Sequence, residues 1–241
     1  MKHISSTQNT VIKDCILLQS KGKKRTEKKQ FVVEGSRELR LAHLAHYTIS
    51  TLFWCPEIFA KQDFASWIKT FNNHITVISV SLAVYQKMVI RGSTEGIVGI
   101  VNQKNNSLKS WQPHNKNPLV IVLESIEKPG NLGAILRTAD ASGVDAVIIT
   151  EQHTDIHHPN VIRSSVGGFF SATIFVCSNE EANHFLKKNK INIYAASLQK
   201  SILYNKANYK ASTAFVMGSE AKGLSDFWRD QEVTAVKIPM L

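Results

Sequence analysis

After Pro118 the chain alternates short, continuously apolar runs with stretches of helical spacing, and few folds accommodate that alternation. The runs are Leu119–Leu123, Ala146–Ile149, Ala172–Val176, Asn192–Ala196, Ala214–Met217 and Ala235–Ile238. Helical spacing between them marks Asn131–Ala141, Glu180–Lys188 and Leu224–Trp228. A strand with one wet face alternates apolar and polar residues, whereas a strand covered on both faces by helices does not need to. The pattern therefore predicts an α/β domain built on a mostly parallel sheet. Ligands of such sheets bind beyond the carboxyl ends of the strands, so chemistry is expected in the sequence that follows each run.

The earlier part of the chain gives a second, smaller α/β pattern. Helices are predicted at Thr10–Leu18, Ser36–Ala45 and Lys61–Phe71, and strands at Phe31–Val33, Ile49–Trp54, Thr76–Val80 and Gly96–Val101. The polar segment Asn102–Pro118, rich in Asn and Lys, lies between the two patterns. It predicts domains at 1–104 and 118–241 joined by a linker over 105–117, and 241 residues suffice for two cores. The apolar runs are too short to span a membrane, and Met1–Thr10 lacks the apolar core of a signal peptide. Cys15, Cys55 and Cys177 form no C-x-x-C pair, which predicts a reducing, cytoplasmic setting.

Charge separates the two parts further. The net charge is +10, of which residues 1–104 carry +8 and the rest +2. An excess confined to one half predicts a polyanionic partner, nucleic acid first, over a solubility charge spread evenly. The run Lys21–Lys29 holds six basic residues in nine; such a run is usually just a solvated loop, but beside this charge asymmetry we read it as a segment that follows a phosphate backbone. Its basic members are Lys21, Lys23, Lys24, Arg25, Lys28 and Lys29.

Three stretches follow strands. In the first, Glu124 to Ala139, Asn131 is placed to cap a helix whose buried stripe is Leu132, Ile135, Leu136 and Ala139. Gly133 and Arg137 share a neighbouring face, where a glycine admits close approach and an arginine can grip a phosphate; the plainer reading pairs Arg137 with Asp140 along the helix. In the second, Gly218 to Ser225 nearly fits a phosphate-binding loop, but Leu224 stands where its lysine belongs. It remains a glycine-bounded loop for a small polar ligand, or an ordinary strand-to-helix turn. The third is the end of the sequence, where Pro239 stops a strand. The histidines of His153–His158 follow no metal-site order, so no metal is expected. Arg163 and Ser165, within Asn160–Gly168, suit either an anion contact or helix capping.

Together these residues resemble the SpoU/TrmH family of RNA 2′-O-ribose methyltransferases, in the knotted SPOUT class. Asn131, Gly133 and Arg137 are similar to the family's first motif, Gly218-Ser-Glu-Ala-Lys-Gly223 to its second, and Ile238-Pro-Met240 to the opening of its third. Arg163-Ser-Ser-Val-Gly167 matches an intermediate stretch, and Lys23–Arg25 with Phe31–Gly35 resemble the family's RNA-recruiting domain. The resemblance implies a small N-terminal α/β RNA-binding domain and a C-terminal, mostly parallel, trefoil-knot domain. It implies S-adenosylmethionine as methyl donor, ribosomal or transfer RNA as substrate, and a homodimer. Asn131, Arg137 and Glu220 would be catalytic; Met217, Gly218, Gly223, Ile238, Met240 and Leu241 would hold the cofactor; the Lys21–Lys29 cations, Arg163 and Ser165 would meet RNA. The family's third motif continues into a Ser-Leu-Asn segment that this sequence, ending at Leu241, does not contain. Weak cofactor binding by the chain as it stands is therefore an expectation, with a non-catalytic RNA-binding protein as the alternative.

Overall fold

The computed structural model describes residues 1–71, 74–90, 95–229 and 231–239. It comprises two compact units, one formed by residues 1–104 with 157–170, the other by residues 105–156 with 171–241.

The first unit contains β1 (Lys2–Ile4), α1 (Thr10–Ser20), α2 (Gly22–Lys28), β2 (Gln30–Glu34), α3 (Ser36–Leu44), β3 (Ile49–Trp54), α4 (Lys61–Ile68), β4 (Thr76–Val80), α5 (Leu82–Met88) and β5 (Ile97–Asn102). The strands order as β1-β4-β3-β5-β2, with β5 antiparallel to both its neighbours and the other pairs parallel. Ile12 and Cys15 from α1, Tyr85 and Met88 from α5, and Phe53 from β3 are fully enclosed in one core.

The basic run forms a helix, α2, and not the solvated loop that was its plainer reading. Arg25 is the reason. Its side chain turns inward, only 2% exposed, and Nη1 donates to the carbonyls of Leu18 at 2.6 Å and Gln19 at 2.9 Å. These lie in the last turn of α1, where carbonyls have no partner within the helix. A buried cation thus closes one helix and fastens the next. Arg25 is accordingly unavailable to RNA phosphates.

In the second unit, β6 (Leu119–Glu124), α6 (Pro129–Ala141) and β7 (Ala146–Thr150) come first. The chain next forms α7 (Pro159–Ser164) and α8 (Gly168–Ser171), within the stretch that belongs mostly to the first unit. It resumes with β8 (Ile174–Cys177), α9 (Asn179–Lys188), β9 (Asn192–Ala196), β10 (Ile202–Leu203), β11 (Thr213–Met217), α10 (Asp226–Arg229) and β12 (Thr234–Lys237). The seven strands order as β10-β12-β9-β11-β6-β7-β8, and every pairing is parallel. Val120, Val122, Ile148, Ala214 and Val216 are buried to within 1%. Each large apolar side chain enclosed this way contributes about 1.5–3 kcal/mol.

Two stretches behave differently from what chain order suggests. The polar segment read as a linker is anchored: Leu108 is buried, and the Trp111 ring lies 5.3 Å from Phe175 and 5.5 Å from Phe185. Residues 157–170 pack with the first unit, where the rings of His157 and Phe169 lie 4.8 and 5.8 Å from Phe31. His158 caps α7, its Nδ1 accepting from the amide of Asn160. His157 and His158 thus serve packing and capping.

Because Arg25 closes α1 with two charge-assisted bonds, Arg25→Ala should destabilise the protein by about 2–3 kcal/mol. Replacing the exposed Lys23 should change stability by less than about 0.5 kcal/mol. Urea unfolding of the two variants checks the contrast, and equal midpoints would contradict it.

Candidate functional site

The carboxyl ends of β6, β9, β11 and β12 lie at one end of the parallel sheet, and the first two post-strand motifs sit there. Helix α6 begins two residues earlier than its spacing suggests. Lys128 is the N-cap and Pro129 occupies the first turn, where its fixed φ and missing N–H are tolerated. Asn131 is therefore not a cap but an exposed residue inside the first turn. Leu132, Gly133, Leu136 and Ala139 are buried while Ile135 is half-buried. The Arg137 guanidinium faces solvent, and among the described residues it forms no ion pair with Asp140 or any other group.

The second motif folds into a small closed loop. Ser219 and Gly223 exchange backbone hydrogen bonds of 3.0 and 2.9 Å, and the Lys222 amide donates to Ser219 Oγ at 3.0 Å. Gly223 makes the turn at φ +68°, a conformation that glycine adopts without strain. Gly218 is required for a different reason: a Cβ there would lie 2.1 Å from the Gly223 carbonyl carbon. The loop presents Glu220, whose Oε2 accepts from Lys128 Nζ at 2.5 Å and from Asn131 Nδ2 at 3.5 Å. Lys128 holds the Glu220 carboxyl below the usual carboxylate range, chiefly through this hydrogen bond, and Glu220 in turn raises Lys128. Glu220 therefore ties its loop to the start of α6 through Lys128 and Asn131.

A residue the sequence reading passed over sits beneath both motifs. Glu124, at the end of β6, is only 1% exposed and accepts three hydrogen bonds. They come from the Ser225 amide at 2.7 Å, Ser225 Oγ at 2.5 Å and Asn179 Nδ2 at 2.7 Å. Asn179 Oδ1 accepts from the indole of the enclosed Trp228 at 2.9 Å. The available signal was a carboxylate closing an otherwise apolar strand run. Lys128 was missed as well, because its partner lies 92 residues away.

Beside the second loop, a cavity of about 460 Å³ opens at the ends of β9, β11 and β12. Leu198, Tyr204, Phe215, Met217, Val236 and Ile238 are among its lining residues. Its size falls within the range of small-ligand sites. The apolar walls suit a planar heterocycle, so the lining fits the adenine of S-adenosylmethionine. Of the expected cofactor residues, Met217 and Ile238 line this cavity, Gly218 and Gly223 close the neighbouring loop, and Met240 and Leu241 fall outside the described residues.

The expected RNA contacts divide sharply. Lys21, Lys23, Lys28 and Lys29 are exposed, while Lys24 is half-buried, 3.7 Å from Asp14. Arg25 is buried. Arg163 is exposed, and its charge acts on Glu34 of the same unit. Ser165 is buried with its hydroxyl donated to the Ile162 carbonyl at 2.7 Å, so direct contact with RNA is excluded for it.

Known proteins resemble both parts of the chain. Residues 118–241 match the SpoU rRNA Methylase family, and residues 9–99 match the MRM3-like substrate binding domain. The chain belongs to the SpoU rRNA methylase family. It is 25% identical to the 23S rRNA (guanosine(2553)-2′-O)-methyltransferase RlmP of Bacillus subtilis, over 93% of this chain and 85% of that one. An AdoMet-bound rRNA methyltransferase from Sinorhizobium meliloti superposes with a TM-score of 0.89 at 26% identity, covering 100% of this chain and 89% of that one. An RNA 2′-O ribose methyltransferase gives a TM-score of 0.82 at 30% identity, covering 99% and 90%.

A depressed carboxyl pKa means that the Lys128–Glu220 pair is intact throughout the neutral range and is lost only as pH falls through that lowered value. Lys128→Met should move the Glu220 titration up toward the ordinary carboxylate range. Carboxyl carbon NMR across acidic pH reads the shift, and an unmoved titration would show that Lys128 does not control Glu220.

Proposed function

We propose that the chain transfers the methyl group of S-adenosylmethionine to a ribose 2′-hydroxyl of ribosomal RNA. One observation carries the reading: at the ligand-binding end of the sheet, a polar group of Asn131 and Glu220 lies within 3.5 Å, and an apolar cavity borders the same loop. Bound in that cavity, the cofactor supplies a methyl group activated on a sulfonium. The residues of the chain are then left to position the RNA and to exclude water, which is where such a displacement gains most.

Arg137 takes the central role because its guanidinium has no partner among the described residues. It grips the phosphate next to the target ribose and stabilises the charge that develops on the attacking oxygen. It does not act as a base, since a guanidinium in a protein keeps its proton. Asn131 orients the ribose, and Glu220 holds the second loop against α6. The exposed cations Lys21, Lys23, Lys28 and Lys29, with Arg163, bind RNA phosphates. The presence of Asn131, Gly133, Arg137 and Glu220 in register with the family motifs favours the enzyme over a non-catalytic RNA-binding relative. A second copy of the chain covers exposed apolar residues outside the cavity, such as Ile202 and Leu203, giving a homodimer. Three unpaired thiols support a cytoplasmic setting. No helix among the described residues is long and apolar enough to cross a membrane.

Arg137→Ala should lower kcat for methyl transfer by about 10²–10³ while leaving S-adenosylmethionine affinity within roughly twofold. Single-turnover assays and calorimetry measure the two quantities; near wild-type turnover would leave Arg137 with no part in the reaction. Replacing Lys23 and Lys28 together by alanine should weaken binding to unrelated RNAs equally. Each lost phosphate contact lowers the salt slope by about 0.7–0.9, and an unchanged slope would show that α2 does not touch RNA.

A further inference from the structure

We infer that Glu124 is a positioning residue for methyl transfer, fixing the distance between the two motifs that flank the reacting groups. The inference rests on the methyltransferase reading above. Two chain segments leave the carboxyl end of β6 and the Gly218–Gly223 loop, and they are tied at two levels. On the surface, Glu220 meets Lys128 and Asn131. Beneath it, Glu124 receives both the amide and the hydroxyl of Ser225, two residues beyond Gly223. The segments Glu124–Asn131 and Glu220–Ser225 therefore close a ring, and only its lower tie is shielded from water.

The direction of the buried bonds is fixed. The Trp228 indole can only donate, so Asn179 must present Oδ1 to it and Nδ2 to Glu124. The Ser225 amide is also an obligate donor. Glu124 consequently needs two acceptor oxygens, which an ionised carboxylate has and an amide lacks. In Glu124→Gln, whichever way the amide lies, its NH₂ opposes either Asn179 Nδ2 or the Ser225 N–H. The volume of the side chain is unchanged, so the substitution perturbs the tie and not the packing.

The test compares wild type, Glu124→Gln, Ser225→Ala and the double variant in methyl transfer to RNA, with KM for S-adenosylmethionine, kcat and RNA affinity measured separately. The account expects Glu124→Gln to raise that KM and lower kcat, each about tenfold, at unchanged RNA affinity. A purely structural role would reduce the active fraction, lowering apparent kcat with KM unmoved, and would overturn the inference. The double variant should be no worse than the more damaged single one, because both break the same tie; fully additive losses would also overturn it. If Glu124→Gln does not fold, Ser225→Ala decides alone: a raised KM supports the tie, and wild-type kinetics refute it. An inactive wild type would refute the methyltransferase reading and this inference with it, whereas an active wild type with an equally active Glu124→Gln refutes only the inference.

Discussion

A carboxylate taken out of water must find a donor for each lone pair it turns inward, and Glu124 meets that requirement with groups distant in the chain. Its three donors come from residues 55 and 101 positions away. An unmet charge at that depth would cost several kcal/mol, so the end of β6, the start of α9 and the start of α10 are locked to one another. The consequence for the site is direct. The Gly218–Gly223 loop is closed on itself by Ser219 and Gly223, and its exit is held by Glu124 through Ser225. Glu220 is thereby displayed on a loop with little freedom of its own.

The first unit uses the same physics with the opposite sign. Arg25 is a cation among cations in the sequence, yet it is spent on two backbone carbonyls of α1. Its burial orients α2 so that Lys21, Lys23, Lys28 and Lys29 remain in solvent. Most of the chain's excess positive charge lies in residues 1–104, whereas the motif residues that suit methyl transfer lie beyond Pro118. Each part thus has the composition its proposed role needs: long-range attraction to a polyanion in one, a preorganised small-ligand site in the other.

Much of this was legible in the sequence, and the failures have physical causes. The runs Asn192–Ala196, Thr76–Val80 and Ile49–Trp54 became strands with those same ends, since continuous or alternating apolar sequence leaves a strand few other registers. Helix α2 was hidden because its inward-facing residue is an arginine, so no apolar stripe marks it. Asn131 has the residue type of a cap, but Pro129 two residues earlier is the better helix start. The motif residues were visible one by one, but the pairs Lys128–Glu220 and Glu124–Ser225 depend on chain crossing that no local pattern encodes. Glu124 was passed over, although a charge ending an apolar run was visible, because nothing local shows that it is buried.

The central claim is that the polar group at Asn131, Arg137 and Glu220 directs a methyl group to a ribose oxygen. The most direct measurement incubates the purified protein with ribosomal RNA and S-adenosylmethionine carrying a labelled methyl group, then digests the RNA to nucleosides for mass spectrometry. The account predicts label in a single 2′-O-methylated nucleoside, with the mass on the ribose fragment. Label on a base, or no label in RNA at all, would contradict it.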